Sequence, residues 1–170
     1  FMVKIYSDFL LPEVFDKLKQ TVTGKEIPWY YYPSRDVYEN ILTSKFEYMF
    51  THVLYFEDKI QSNLFNTFEP ILHRVQDKYK ISKLLRFKLN LYTNQNKEYH
   101  QAPHTDFLTD EEGIHIGLFN FVTCNGGTII GGEKYNSNQN ELLVFDNKCE
   151  HNGVIQTDTP SRIVMNIGWK

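Results

Sequence analysis

Apolar and polar residues change rhythm near residue 84. Upstream, Val14, Phe15 and Leu18 follow Leu11-Pro12-Glu13 at helical spacing and predict a short helix. Its proline sits in the first turn, where the missing N–H costs nothing. Leu64, Phe68, Ile71, Leu72, Val75 and Tyr79 repeat with the same period and predict a second helix. Pro70 falls inside that pattern, so the helix starts near it or bends there. Between the two, Trp29-Tyr30-Tyr31-Tyr32-Pro33 reads as a strand or extended loop, its tyrosines either core or the lip of a binding site.

From Leu84 the period becomes two. Arg86, Lys88, Asn90 and Tyr92 alternate with Phe87, Leu89 and Leu91, which gives a strand one polar and one apolar face. Arg86 and Lys88 are expected to be solvated on that polar face or to line the approach to a site. Further strands are predicted over residues 114–122, 128–130, 141–145 and 161–167. Asn125-Gly126-Gly127 and Gly131-Gly132 carry turn chemistry, and residues 136–140 form a polar loop. Short strands between Gly/Asn turns, preceded by helices, predict a mainly β chain with flanking helices: a β-sandwich or jelly roll.

Length and composition narrow the class. The 170 residues fit one domain, 1–170, with a helix-rich part (1–83) packing on a β core (84–170). With 41% hydrophobic and 23% charged residues, wholesale disorder is excluded. The formal charge of −3 and a pI near 6.1 argue against a broad basic face for nucleic acid. Cys124 and Cys149 read as two free thiols in a reducing compartment. No run approaches membrane-span length and the N-terminus has no signal-like apolar core, so the expectation is a soluble cytoplasmic protein.

Of the six histidines, His104 stands out because Asp106 follows two residues later. On an extended chain the two side chains point the same way and can fill two sites of a divalent metal. A solvated turn fits His-X-Asp equally well when it stands alone. His151 lies just past the strand at 141–145, where a third ligand could sit, and two His with one carboxylate leave open metal positions, as in non-haem Fe(II) oxygenases. Eleven residues on, Arg162 opens an otherwise apolar strand. An arginine there is costly unless it meets an anion, and its planar fork suits a carboxylate. His115 reads as a barrel histidine, and His100 as no partner of His104.

The pattern His104-X-Asp106 … His151 … Arg162 resembles the Fe(II)/2-oxoglutarate-dependent dioxygenases, most closely the prolyl-4-hydroxylase-like branch. The resemblance runs from Leu84 to Trp169. Leu89-Asn90-Leu91-Tyr92 is similar to that family's strand with a Tyr ahead of His-X-Asp. Leu118-Phe119-Asn120-Phe121 before Gly126-Gly127, Gly131-Gly132-Glu133, and Arg162-Ile163-Val164-Met165-Asn166 with Trp169 resemble its later segments.

The resemblance implies a double-stranded β-helix, a jelly-roll or cupin-like fold. It implies Fe(II) on His104, Asp106 and His151, with 2-oxoglutarate and O₂ as cosubstrates and ascorbate as a possible reductant. Arg162 would pair with the distal carboxylate of 2-oxoglutarate, Tyr92 would add a second contact, and Asn90 and Asn166 would face the same cavity. The implied reaction hydroxylates an unactivated C–H bond, most readily a prolyl residue of a peptide or protein, releasing succinate and CO₂. Collagen-type members carry Lys at the anchor position, so Arg162 argues against a collagen-like substrate. A free amino acid or other small metabolite stays open as substrate. So do a nucleic-acid dealkylase, which the acidic balance disfavours, and a non-enzymatic cupin-like metal-binding module.

Overall fold

A computed structural model describes residues 2–33 and 46–170. In chain order the elements are β1 (Lys4–Tyr6), α1 (Pro12–Thr23), β2 (Tyr30–Pro33), β3 (Tyr48–Phe56), β4 (Lys59–Ile60), α2 (Phe65–Gln76) and β5 (Leu84–Thr93). They continue as β6 (His115–Asn120), β7 (Cys124–Ile130), β8 (Glu133–Ser137), β9 (Glu141–Asp146), β10 (His151–Val154) and β11 (Ser161–Trp169). A large antiparallel sheet runs in the order β1-β9-β6-β11-β5-β3-β2, with β4 added on β3. A small sheet has the order β10-β7-β8. This is the double-stranded β-helix expected above.

Alternation along β5 and β11 sorts the molecule into two layers of packing. Phe87 and Leu89 of β5, with Ile163, Met165 and Ile167 of β11, are buried against α1 and α2. The helices answer with Phe15, Leu18, Val22, Phe68, Ile71 and Val75. Each fully buried side chain of this kind contributes about 1.5–3 kcal/mol of hydrophobic stabilisation. The opposite faces of the same strands turn inward between the sheets. There Ile116, Leu118, Ile130, Leu143, Phe145 and Val164 form a smaller core that supports the site.

Three expectations are corrected. The described part of residues 1–83 is less helical than anticipated: four strands lie among its described residues, and β3 pairs directly with β5 inside the large sheet. Its run Tyr48-Met49-Phe50-Thr51-His52-Val53-Leu54-Tyr55-Phe56 is nearly all apolar or aromatic, so no period-two signal marks it. Asn125-Gly126-Gly127 is no turn but the interior of β7. A Cβ at Gly127 would lie 2.1 Å from the Tyr135 carbonyl oxygen, so glycine serves a close backbone approach. Gly131 and Gly132, with φ of 57° and 88°, do form the expected turn, between β7 and β8. Finally, α2 begins five residues ahead of Pro70 and carries it inside. No helix among the described residues is long and apolar enough to cross a membrane.

Candidate metal centre

The His104 segment extends the small sheet. His104 and His151 are direct antiparallel partners and exchange both backbone hydrogen bonds, at 3.0 and 2.9 Å. Cross-strand partners put their side chains on one face, and the two imidazole centroids lie 4.6 Å apart. Asp106, two residues on, faces the same way. One ligand atom each from His104, Asp106 and His151 lie within 4.8 Å of one another.

The imidazoles are oriented by the backbone. His104 Nδ1 donates to the Ala102 carbonyl at 3.2 Å and His151 Nδ1 to the Cys149 carbonyl at 3.3 Å. A carbonyl only accepts, so each Nδ1 carries the hydrogen and each Nε2 lone pair is left for the site. Burial pushes the His151 pKa below its ordinary value, against the pull of Asp106, so the ring favours the neutral, ligating form.

Asp106 is buried and heavily partnered. Its Oδ1 lies 2.6 Å from Arg86 Nη2, and its Oδ2 accepts from Asn166 Nδ2 at 3.1 Å. Oδ2 is also 3.6 Å from His151 Nε2 and so faces the histidines. Burial raises the Asp106 pKa, but Arg86, His151 and the Asn166 amide outweigh it and hold the carboxyl well below the usual range. Cis ligands on an octahedral ion with bonds of about 2.1 Å stand about 3 Å apart. Two imidazole nitrogens and one carboxylate oxygen therefore fit a divalent ion after small side-chain movements.

Arg162, on β11, is 2% exposed. It stacks on its cross-strand partner Tyr92, with the guanidinium carbon 4.6 Å from the ring centroid. Its Nε has no hydrogen-bond partner, and among the described residues no carboxylate pairs with it. Asn90 Oδ1, two residues before Tyr92, is likewise buried without a partner. An orphaned buried donor costs free energy unless a ligand acceptor meets it, so the Arg162 guanidinium fits a bound carboxylate. Gly153 makes room here: a Cβ would stand 3.3 Å from Arg162 Nη2 and 2.3 Å from Gln101 Oε1.

All seven residues singled out from the sequence, His104, Asp106, His151, Arg162, Tyr92, Asn90 and Asn166, line one cavity of about 770 Å³. Tyr32 also lines it, as a lip and not as core. Of the two readings left open for Arg86, solvated or lining a site, the second holds: it lines the cavity, is 7% exposed, and besides Asp106 it holds Asn166 Oδ1 through Nε and Nη2 at 3.1 and 2.8 Å. It belongs to the same alternating set as Asn90 and Tyr92, and that signal would have placed it in the cavity. His115 lies away from the site, against Trp169 and Tyr79. His100 is 3.1 Å from Glu98.

Comparison with known proteins supports the fold. No protein-family model and no curated protein matches the chain. Among solved structures it is similar to a prolyl hydroxylase from Trichoplax adhaerens in complex with a hypoxia inducible factor oxygen degradation domain peptide fragment. The identity there is 11% and the TM-score 0.66, covering 98% of this chain and 82% of that one. It is also similar to a Pseudomonas putida prolyl-4-hydroxylase, at 8% identity and TM-score 0.61, covering 99% and 92%. A third similar structure is the non-heme alpha ketoglutarate dependent epimerase SnoN from nogalamycin biosynthesis, at 9% identity and TM-score 0.64, covering 99% and 77%. The chain has the prolyl-hydroxylase-like fold of the 2-oxoglutarate–Fe(II) oxygenases.

Proposed function

We propose that the protein is an Fe(II)- and 2-oxoglutarate-dependent dioxygenase that hydroxylates an unactivated C–H bond, with a prolyl residue of a peptide or protein as the preferred substrate. The observation that carries this reading is Arg162: a buried guanidinium without an acid partner among the described residues, in the cavity that also holds the His104, Asp106 and His151 ligand atoms. A module that only holds a metal needs no such anchor.

Bound there, Fe(II) with 2-oxoglutarate and O₂ would supply the oxidising chemistry, coupling decarboxylation to succinate and CO₂ with insertion of oxygen into a C–H bond. His104 and His151 would hold the ion through Nε2 and Asp106 through Oδ2. Arg162 would take the distal carboxylate of 2-oxoglutarate on its fork, and Tyr92 beneath it fixes the guanidinium plane. Leu118 and Val164 wall the site with apolar surface that excludes water from the reacting groups. Tyr32, Phe56 and Leu108 are exposed where they line the cavity and offer an apolar approach for a substrate. The likeness to two prolyl hydroxylases, one of them holding a peptide, supports a prolyl substrate. A free amino acid or other small metabolite is the second reading.

The test is succinate formation on adding Fe(II), ascorbate and 2-oxoglutarate, with mass spectrometry for a +16 Da product across proline-containing peptides and free amino acids. Succinate that disappears in His104→Ala supports the proposal. No succinate from either protein, with or without candidate substrates, returns the chain to the metal-binding module.

A further inference from the structure

The reading of His104, Asp106 and His151 as a metal site leaves Arg86 without a role. Its guanidinium forms a closed triangle with the site carboxylate: it meets Asp106 Oδ1 at 2.6 Å and Asn166 Oδ1 at 2.8 Å, while Asn166 Nδ2 returns to Asp106 Oδ2 at 3.1 Å. The triangle is built from two neighbouring strands and the ligand loop. Arg86 lies on β5 opposite Gly168 of β11, and Asn166 precedes Gly168 on the same inward face. Phe107 covers the guanidinium, its ring centroid 4.7 Å from the Arg86 carbon. That ring occupies the space a side chain at 168 would need: a Cβ there would be 2.5 Å from Phe107. Arginine, asparagine, phenylalanine and glycine thus fit together around one carboxylate.

A free carboxylate can bind a metal through one oxygen or both, and the second mode removes an open coordination position. We propose that Arg86 is a positioning residue that holds the outer oxygen of Asp106, so that only Oδ2 is offered to the metal and the open positions stay open. This rests on the proposed metal site. The ion pair also offsets the charge of a carboxylate that is 8% exposed, which leaves the site assembled before any ion arrives. Its cost is metal affinity, since a fixed cation beside the ligand repels a divalent ion and competes for the carboxylate.

The test uses Co(II), followed by its visible absorption and by calorimetry, in the full chain. In Arg86→Met, Asp106 is free to chelate through both oxygens. Co(II) should then bind about tenfold more tightly, its absorption should shift as a second carboxylate oxygen replaces a bound water, and succinate formation should fall. A merely structural role would weaken binding and activity together. Arg86→Lys keeps the charge without the fork, so affinity should stay near wild type while the spectrum still shifts; it carries the test if Arg86→Met does not fold. A Co(II) spectrum and affinity indifferent to both substitutions overturn the clamp. Co(II) that fails to bind the wild type overturns the clamp and the metal site together. A spectrum that responds to Arg86 in a chain that makes no succinate supports the clamp and sinks the oxygenase reading alone.

Discussion

Replacing Arg162 by methionine separates ligand binding from folding in a way few buried-arginine substitutions do. The guanidinium is 2% exposed and its Nε has no hydrogen-bond partner. Burial lowers its pKa, Tyr92 being the main opposing influence, so the ligand-free fold bears an uncompensated desolvation cost at this position. Methionine, of similar length, removes that cost. Arg162→Met should therefore unfold at the same or higher urea concentration than the wild type when no ligand is present. With 2-oxoglutarate and Mn(II) the order reverses. Losing one partner of a buried, forked charge pair costs about 2–5 kcal/mol. At about 1.4 kcal/mol per tenfold, the dissociation constant for 2-oxoglutarate should rise between about 30-fold and a few thousand-fold. Calorimetry with Mn(II) present gives the constant, and the 2-oxoglutarate-dependent rise in Tm gives an independent check. Arg162→Lys, which keeps the charge and loses the fork, should fall between the two. Near-normal 2-oxoglutarate binding by Arg162→Met, or marked destabilisation of its ligand-free form, would refute the reasoning.

His104→Ala should lose Mn(II) binding and succinate formation while its metal-free stability, measured by urea unfolding, changes little, because the ring is only partly buried. Asp106→Asn leaves Arg86 buried without its carboxylate and should destabilise the metal-free fold by about 3–5 kcal/mol in the same assay. The folded-state pKa of His151 is depressed, chiefly by burial, so its neutral ring supports stability in full above about pH 6.5 and loses that support as pH falls and the unfolded chain takes up the proton. His151→Asn should flatten that part of the urea-midpoint profile; the Asp106 contribution, with its pKa held low, should persist until below about pH 4. Gly127→Ala places a Cβ against backbone of β8 and should cost about 3 kcal/mol or more, read as a drop in Tm.

What could be read in advance followed from local periodicity. Helical spacing marked α1 and α2, strict alternation marked β5, and an apolar run marked β11, because each of these packs an apolar face on the main core. Alternation also put Asn90, Tyr92 and Asn166 in the cavity. For Arg86 the same rule left solvent and the approach to a site both open, and it lies in the cavity. A polar strand face looks identical whether it meets water or the inside of a closed second sheet, and only the packing of β10 and the His104 segment over β5 and β11 decides. The backbone pairing of His104 with His151 joins positions 47 residues apart, which no local pattern reports, although the strand-end place of His151 made it a candidate third ligand. Gly126 and Gly127 misled for a related reason: a glycine that admits a neighbouring backbone has the same sequence signature as one that turns the chain.

The central claim is tested most directly by a crystal structure of the chain with Mn(II) and 2-oxoglutarate. The account predicts one metal bound by His104 Nε2, Asp106 Oδ2 and His151 Nε2, with the distal carboxylate of 2-oxoglutarate forked on Arg162 and Arg86 still on Asp106 Oδ1. A metal elsewhere, or 2-oxoglutarate seated away from Arg162, would contradict it.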